Sequence, residues 1–270
     1  MTRVENTWMS DYVDELDYEK RGRVAIVADA RALAEAAAET LIAAVAEAIA
    51  VRGRAVVSLA GGSTPQRMGE LLATDEYRGR IDWSRLHVFW GDERWVPLEH
   101  PECNAGEAIR TFLDDVDIPA AQVHPYHTHL EPPRAAARQY EEQLREVFGA
   151  EALPRFDLIF LGVGDDGHTA SLFPGADAIN EKHDWVVAYE VPKLGAIRLS
   201  LTPPVLNAAR RVAFVVGGGG KAHVLHTILD GGLDVDETPA QVVRPANGEL
   251  VWLVDVAAAE LLERRAVKEA

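Results

Sequence analysis

The stretch of sequence that says most about the fold is DLIFLGVGDDGH, residues 157–168. In it a short apolar run, 157–163, leads directly into a turn of glycines and acidic residues. The same pattern occurs at Ala55–Leu59, which precedes AGGST, and at Leu86–Trp90, which precedes GDER. Apolar runs of this length, bounded by turn residues, indicate strands that are buried on both faces.

Strands of this kind alternate with helical patterns along most of the chain. Further strands are predicted at Val24–Val27, Val186–Val191, Ile197–Leu201, Val212–Val216 and Leu250–Val254, and helices at Ala30–Val51, from about Pro65, at Pro203–Ala209, Lys221–Leu229 and Val256–Arg264. Asp29 is expected to cap the first helix. The alternation predicts an α/β fold: an open, mainly parallel sheet with helices on both faces. Ligands of such sheets bind beyond the carboxyl ends of the strands, where the glycine-rich turns lie.

Composition limits the function. The 270 residues are 48% hydrophobic and carry a net charge of −16, so the surface repels nucleic acid and anionic membranes. An anionic substrate would need positive charge concentrated at one site. The single cysteine, Cys103, excludes an internal disulfide framework and a cysteine-rich zinc site. It is expected to be a packing residue.

The chain is expected to divide into an acidic, loosely attached N-terminal arm, residues 1–20, and a single α/β domain, residues 21–270. The N-terminus lacks the apolar core of a signal peptide. The alanine-rich run 30–51 contains Glu35, Glu39 and Glu47, and three central charges argue against a membrane span. A cytoplasmic monomer that does not contact a membrane is expected.

The loop Gly61-Gly62-Ser63-Thr64 lies between a predicted strand and a predicted helix. Adjacent glycines allow a ligand to approach the backbone, and the start of a helix offers free N–H groups and a positive dipole. A phosphate would fit such a cradle. A tight turn with a helix cap explains the same residues equally well, and the position after a strand favours phosphate only modestly.

Three cations lie near the ends of predicted elements: Arg94 in GDERWVP, Arg198 in IRLSLT, and Lys221 after Gly217–Gly220. Arginine can bind a phosphate or a developing oxyanion through two hydrogen bonds. Taken separately, Arg94 is better explained by an ion pair with its acidic neighbours, and Arg198 and Lys221 by solvated surface charge. Together they could complete an anion pocket.

His168, in the turn GDDGH, is the most informative residue. A lone histidine is more often structural than catalytic, but this one follows a strand in a glycine-rich turn, where partial exposure is expected. A neutral imidazole is a competent general base near pH 7. Asp166 or Asp165 could orient the ring and stabilise its protonated form.

Other chemistries lack their motifs. The chain has neither a G-x-S-x-G nucleophile elbow nor an H-E-x-x-H zinc motif. His124, His127 and His129 could in principle hold a metal, but neighbouring surface histidines in a loop are the simpler explanation. Neither a metal nor a cofactor is expected.

Several segments resemble the 6-phosphogluconolactonase family in the same order and at similar spacing. These are Leu59–Met68, Trp90–Pro97 with Asn104 after it, Gly162–Gly175, Ile197–Thr202, 210–222 and 243–252. The run DGHTASLFP, residues 166–174, is the most specific of them. The resemblance implies the open α/β fold shared with glucosamine-6-phosphate deaminases and ribose-5-phosphate isomerases. It also implies hydrolysis of 6-phospho-D-glucono-1,5-lactone in the oxidative pentose phosphate pathway.

In this interpretation His168 activates water, Asp166 orients His168, and Arg94, Gly61–Thr64, Arg198 and Lys221 hold the phosphate or offset negative charge. Two departures from the family pattern stand out. Asp165 replaces a usual proline and adds a carboxylate beside the base. Leu194-Gly195-Ala196 replaces a proline-rich stretch, so the loop carrying Arg198 is expected to be more mobile.

Two other functions remain open at this point. A sugar-phosphate deaminase or isomerase would share the fold, but the deaminase motif continues after its histidine into Asn-Glu-Pro, and here Ser171-Leu172-Phe173-Pro174 follows instead. A non-catalytic sugar-phosphate sensor would need an attached output domain, and 20 residues are too few for a DNA-binding unit.

Overall fold

The structure is a computed structural model that describes residues 12–149 and 152–263. Its strands are β1 (Asp14–Asp17), β2 (Arg23–Val27), β3 (Ala55–Leu59), β4 (Leu86–Trp90), β5 (Asp92–Arg94), β6 (Leu158–Leu161), β7 (Val186–Val191), β8 (Ala196–Leu201), β9 (Arg211–Val216) and β10 (Glu249–Asp255). Its α-helices are α1 (Ala30–Arg52), α2 (Ser63–Leu72), α3 (Asn104–Thr111), α4 (Pro133–Phe148), α5 (Pro203–Ala208) and α6 (Ala222–Leu229).

The main sheet has seven strands in the order β1-β2-β10-β9-β6-β3-β4. Every pairing is parallel except that of β1 with β2. Strands β3, β6 and β9 are buried along their whole length, so both faces of the sheet are covered. The predicted α/β architecture, with its mainly parallel open sheet, is confirmed.

Helix α1 illustrates how the sequence produces one of the layers. Asp29 caps it by accepting hydrogen bonds from the N–H groups of Arg31 and Ala32, both 2.9 Å, as predicted. Its buried stripe is mostly alanine and leucine and packs against β2, β3 and β10. Small side chains allow a helix to approach the sheet closely. None of the described helices is both long enough and apolar enough to cross a bilayer.

A second sheet of three antiparallel strands, in the order β5-β8-β7, lies beside the main one. The sequence analysis predicted β7 and β8 but not that they leave the main sheet. Strand β5 has only three residues and follows β4 after Gly91. Gly91 joins the two sheets, because its N–H donates to Leu59 O and its carbonyl accepts from Leu201 N.

Two expectations about the chain ends differ from the structure. Residues 14–17, expected to belong to a loose arm, form the edge strand β1, in which Leu16 is 2% exposed. The burial of this one leucine favours pairing with β2 despite the acidic neighbours. Residues 1–11 of the arm lie outside the described residues, and the division into arm and domain stays a prediction.

The predicted helix Val256–Arg264 is wrong over its described part, where successive turns replace it. The carboxylate of Asp255 accepts hydrogen bonds from the N–H groups of Ala258 (2.7 Å) and Gly218 (2.8 and 3.0 Å). A side chain that bonds nearby backbone in this way competes with regular helix. Residue 264 lies outside the described residues.

Candidate active site

Four loops meet at the carboxyl edge of the main sheet. They follow β9 (217–221), β6 (162–168), β3 (60–64) and β4 (91–94), which are neighbours in that order. Because parallel strands end at the same edge, residues far apart in the sequence become adjacent here. The predicted site residues lie on these four segments, where Ser63 and Thr64 begin α2 and Arg94 ends β5, except Arg198, which lies in β8.

A pocket of about 390 Å³ opens at this edge. It is lined by Asp92, Arg94, Asp165, Asp166, His168, Ala170, Ser171, Phe173, Lys193, Leu194 and Arg198. The structure therefore brings together four of the predicted site residues: Arg94, Asp166, His168 and Arg198. Gly61, Gly62, Ser63, Thr64 and Lys221 are not among the lining residues.

His168 and Asp166 form a hydrogen-bonded pair. The ring Nδ1 lies 2.5 Å from Asp166 Oδ1, and the backbone N–H of His168 donates to the same oxygen over 3.2 Å. An ionised carboxylate can only accept, so Nδ1 carries the proton and Nε2 has the free lone pair. The side chain of His168 is 29% exposed. This arrangement leaves Nε2 available as a base.

The turn that carries His168 depends on glycines. The N–H of Gly164 donates to the carbonyl of His168 over 2.9 Å, and Gly167 adopts a φ of +80°, which glycine tolerates best. A Cβ on Gly164 would lie 1.9 Å from His168 Nδ1. The imidazole thus occupies the space where any other residue at 164 would have a side chain. This requirement for glycine at 164 was not predicted from the sequence, because the contact depends on how the turn folds.

The surroundings of His168 favour the neutral ring. Burial is the main cause that lowers the pKa of His168 below its ordinary value of 6.5. The carboxylate of Asp92 raises this pKa, whereas Lys221, Arg198 and Arg94 lower it further. The ring of Phe173 lies 4.2 Å from the imidazole, centroid to centroid, and supplies part of the apolar cover. At pH 7 the imidazole is therefore unprotonated.

Arg94 and Arg198 lie opposite each other in the pairing of β5 with β8. Arg94 donates to the carbonyl of Glu102 over 2.8 Å, and Arg198 to that of Ile197 over 3.1 Å. Within the described residues neither guanidinium has a carboxylate within ion-pair distance. Burial, followed by the charge of Arg94, lowers the pKa of Arg198. Two adjacent cations without anionic partners form a favourable position for a ligand's negative group.

This arrangement corrects two expectations. Arg94 does not pair with Asp92 or Glu93. Glu93 is fully buried and accepts hydrogen bonds from the N–H groups of Arg94 (2.9 Å), Asn104 (2.8 Å) and Ala105 (2.9 Å). It joins β5 to the start of α3. Arg198 lies in β8, which is paired on both sides, rather than in a loop. The mobility of the residues before it stays a prediction.

Cys103 is 3% exposed, as a packing residue should be. Its Sγ lies 3.3 Å from Glu93 Oε2 and accepts from the N–H of Gly106 at the start of α3. Burial and the charge of Glu93 raise the pKa of the thiol to about 11.

The loop Gly61–Thr64 lies next to the pocket, at the start of α2. Gly62, the N-cap of α2, has a φ of +111° and no side chain that could accept a hydrogen bond. The first N–H groups of α2 are therefore available to other acceptors. A Cβ on Gly61 would lie 1.8 Å from Asn104 Oδ1, and Asn104 Nδ2 donates to Asp92 O over 3.0 Å. Asn104 thus connects this loop to the pocket. The role of Gly61–Thr64 as a phosphate cradle stays a prediction.

Two lysines interact with the acidic residues of the His168 turn. Lys221 Nζ lies 2.5 Å from Asp165 Oδ1 and lowers the pKa of that carboxyl, so Lys221 reaches the pocket rim only through Asp165. Lys193, at the tip of the β7–β8 hairpin, contacts Asp166 and lies 4.7 Å from the Phe173 ring centroid. Lys193 was not among the predicted site residues, because nothing in the sequence indicates that this hairpin folds over the turn at 165–168.

The histidines considered as metal ligands lie elsewhere. The ring of His124 stacks on Phe89 at 4.2 Å, and burial lowers its pKa to about 4. It is therefore half-buried rather than a surface residue. In residues 12–149 and 152–263, no three His, Cys, Asp or Glu side chains are grouped as metal ligands would be.

A histidine hydrogen-bonded to a carboxylate, in one pocket with two guanidiniums that have no carboxylate partner, is an arrangement suited to acid–base chemistry on a small anionic ligand. Sequence comparison makes the class specific. Residues 28–252 match the family described as glucosamine-6-phosphate isomerases/6-phosphogluconolactonase, and the chain belongs to this family.

Individual relatives support the assignment. A 6-phosphogluconolactonase of Synechocystis is 43% identical over 220 residues, which cover 81% of this chain and 89% of that protein. The structure of a 6-phosphogluconolactonase from Trypanosoma brucei is similar with a TM-score of 0.78 and 28% identity, covering 89% of this chain and 98% of the other. A monomeric glucosamine-6-phosphate deaminase has a TM-score of 0.73 at 20% identity, covering 88% and 99%. That likeness concerns the fold alone.

Proposed function

We propose that the protein hydrolyses 6-phospho-D-glucono-1,5-lactone to 6-phospho-D-gluconate. The observation that carries the proposal is the free Nε2 of His168 in a pocket that also holds Arg94 and Arg198 without carboxylate partners. The base and the cations match the two features of this substrate, an activated ester and a phosphate. The 43% identical relative is named for this activity.

A lactone needs no covalent nucleophile, because a general base and charge stabilisation suffice. His168 Nε2 takes a proton from a water molecule as the water oxygen attacks the lactone carbonyl. The tetrahedral intermediate then expels the ring oxygen, which receives the proton back from His168. The new carboxylic acid ionises and releases one proton to solvent. Asp166 fixes the tautomer and stabilises the imidazolium during these steps.

Arg94 and Arg198 bind negative charge, either the phosphate or the oxyanion that develops on the carbonyl oxygen. Both can form two parallel hydrogen bonds to such a group. Gly61–Thr64 lies at the start of α2, where uncapped N–H groups are available to an anion. Lys221 and Lys193 contribute by holding Asp165 and Asp166. The protein's strongly negative surface is thus locally offset at the pocket.

A sugar-phosphate deaminase or isomerase is the second candidate, because the family description covers both activities. In the pocket the residues after His168 are Ala170, Ser171 and Phe173, and none of them carries the extra carboxylate expected of a deaminase. The Ser171 hydroxyl instead donates to Asp92 Oδ2 over 2.7 Å. These contacts favour the lactonase.

The test compares opening of freshly generated 6-phosphogluconolactone, followed as acid release, with and without the protein. The uncatalysed rate is the essential control because the lactone also opens spontaneously. We expect acceleration, and no ammonia release from glucosamine 6-phosphate. Ammonia release without lactone hydrolysis would replace the proposal by the deaminase. Binding of the phosphorylated sugar without any turnover would favour the sensor.

A monomeric state, a cytoplasmic location, and the absence of cofactor and nucleic-acid partners remain predictions from the sequence.

A further inference from the structure

A second cavity, of about 330 Å³, lies at the amino edge of the main sheet, opposite the candidate active site. Three arginines line it: Arg52 at the end of α1, and Arg210 and Arg211 at the start of β9. The acids in its wall are Glu47, Asp157 and Glu249. We call it the arginine cavity. The lactonase chemistry uses none of these residues.

The three arginines differ in how well their N–H donors are matched by acceptors. Arg52 pairs with Asp157 Oδ1 at 2.8 Å, and Arg211 with Glu249 at 2.8 Å. Arg210 Nε is buried and donates no hydrogen bond to any described residue. The carboxylate oxygen it approaches, Asp157 Oδ1 at 3.4 Å, is the one that Arg52 already contacts, and Asp157 Oδ2 accepts from the N–H of Val56. The contact of Arg210 with Asp157 is an ion pair without hydrogen-bond geometry, so the buried Nε–H is poorly satisfied, and the Arg210 side chain, 36% exposed, is accessible to a ligand.

The local charge indicates an anionic acceptor. Burial lowers the pKa of Arg210, and the charges of Arg52 and Arg155 lower it further, ahead of the opposing effects of Asp157 and Glu47. Arg155 is exposed and donates to Asn247 O over 2.7 Å at the cavity edge. With Arg155 counted, four arginines meet three carboxylates at this cavity, an excess of one positive charge in a chain whose net charge is −16, and its volume is that of a small-molecule pocket.

We propose that the arginine cavity binds a small anion that carries a phosphoryl group, with Arg210 as its principal donor. The planar guanidinium matches two phosphate oxygens. The bound anion connects the end of α1 to the starts of β6, β9 and β10, so it stabilises the folded chain by mass action. The proposal does not depend on the lactonase function, because the two pockets lie at opposite edges of the sheet.

The test is calorimetric titration of inorganic phosphate, and in a second series glycerol phosphate, into wild type, Arg210→Gln and Arg85→Gln. Arg85 is an exposed arginine paired with Asp82 at 3.1 Å and serves as the matched control. The candidate active site is also expected to bind phosphate, so wild type and Arg85→Gln should show two sites per chain. Arg210→Gln should show one, or a second that is weakened at least about tenfold. Binding of inorganic phosphate alone would identify the free ion as the ligand, and binding of both would extend the site to phosphate esters.

Lactone hydrolysis by Arg210→Gln should match wild type, which verifies that the variant is folded. If Arg210→Gln does not fold, Arg155→Gln is tested instead, because Arg155 is exposed and its substitution should leave the fold intact. Loss of Arg155 should weaken phosphate binding at the arginine cavity about two- to fivefold. A single site in wild type whose affinity the Arg210 substitution leaves unchanged would overturn the proposal. Two sites with the same phosphate affinities in wild type and in the folded variant would also overturn it.

Discussion

Replacing Gly164 with alanine tests whether the position of the His168 ring controls the reaction. The new Cβ would lie 1.9 Å from Nδ1 and 2.0 Å from Cε1 of the imidazole. Ordinary contact begins at 3.4 Å, so ring and methyl group must separate by a further 1.5 Å (3.4 − 1.9). A movement of this size breaks the 2.5 Å hydrogen bond to Asp166.

The expected result is a fall in kcat of about 10²-fold, because a displacement of roughly 1 Å in a positioned catalytic group costs about that much. KM should change little, since Arg94 and Arg198 are positioned by the small sheet rather than by this turn. Overpacking should also lower the free energy of unfolding by about 1–3 kcal/mol. The assay is acid release from the lactone over a range of substrate concentrations, together with thermal unfolding.

Gly162→Ala is the matched control. It lies two residues upstream in the same segment, and a Cβ there meets nothing within 4 Å. Its carbonyl, which accepts from Thr169 Oγ1 over 2.9 Å, is unchanged by the substitution. We expect wild-type kcat. A folded Gly164→Ala protein that also kept wild-type kcat would refute the placement of His168 as the base.

Three other outcomes follow from the same geometry. Asp166→Asn removes the charge that stabilises the imidazolium, so kcat should fall about 10²- to 10⁴-fold with KM little changed; unchanged kcat would exclude Asp166 from this role. Each of the substitutions Arg94→Gln and Arg198→Gln removes charged hydrogen bonds to the substrate. Each should raise KM or lower kcat/KM about 10- to 100-fold. An unchanged kcat/KM in both variants would show that the substrate's negative group binds to other residues. The pKa of His168 is lowered below 6.5, and only the neutral ring acts as base. We therefore expect kcat/KM to be constant above pH 7 and to fall as the pH drops through that lowered pKa. A pH profile of kcat/KM with its half-maximum above pH 6.5 would contradict the assignment of His168 as the base.

The layers of the fold could be predicted from the sequence because the signals are local. Ala55–Leu59 and Leu86–Trp90 are strands with the predicted bounds, since an apolar run bounded by turn residues is sufficient to define a buried strand. Asp29 identified the start of α1. The location of the candidate site followed from one rule, that loops after parallel strands meet at one edge.

The rest of the candidate site depends on pairings between distant residues. Arg94 and Arg198 are about a hundred positions apart, and only the β5–β8 register brings them opposite each other. The same sheet carries Lys193 to Asp166. Glu93 looked like an ion-pair partner, but its burial beside three backbone N–H groups is a tertiary property. Sequence motifs identified the residue types, and the antiparallel sheet decides which of them meet.

The central claim is that His168 takes the proton from the attacking water. Its most direct test is the rate of 6-phosphogluconolactone hydrolysis by His168→Asn, compared with wild type and with the uncatalysed reaction at the same pH. The proposed mechanism predicts a loss of about 10²- to 10⁴-fold in kcat, with the substrate still bound through Arg94 and Arg198. Full turnover by a folded His168→Asn protein would contradict it and transfer the base function to another group in the pocket.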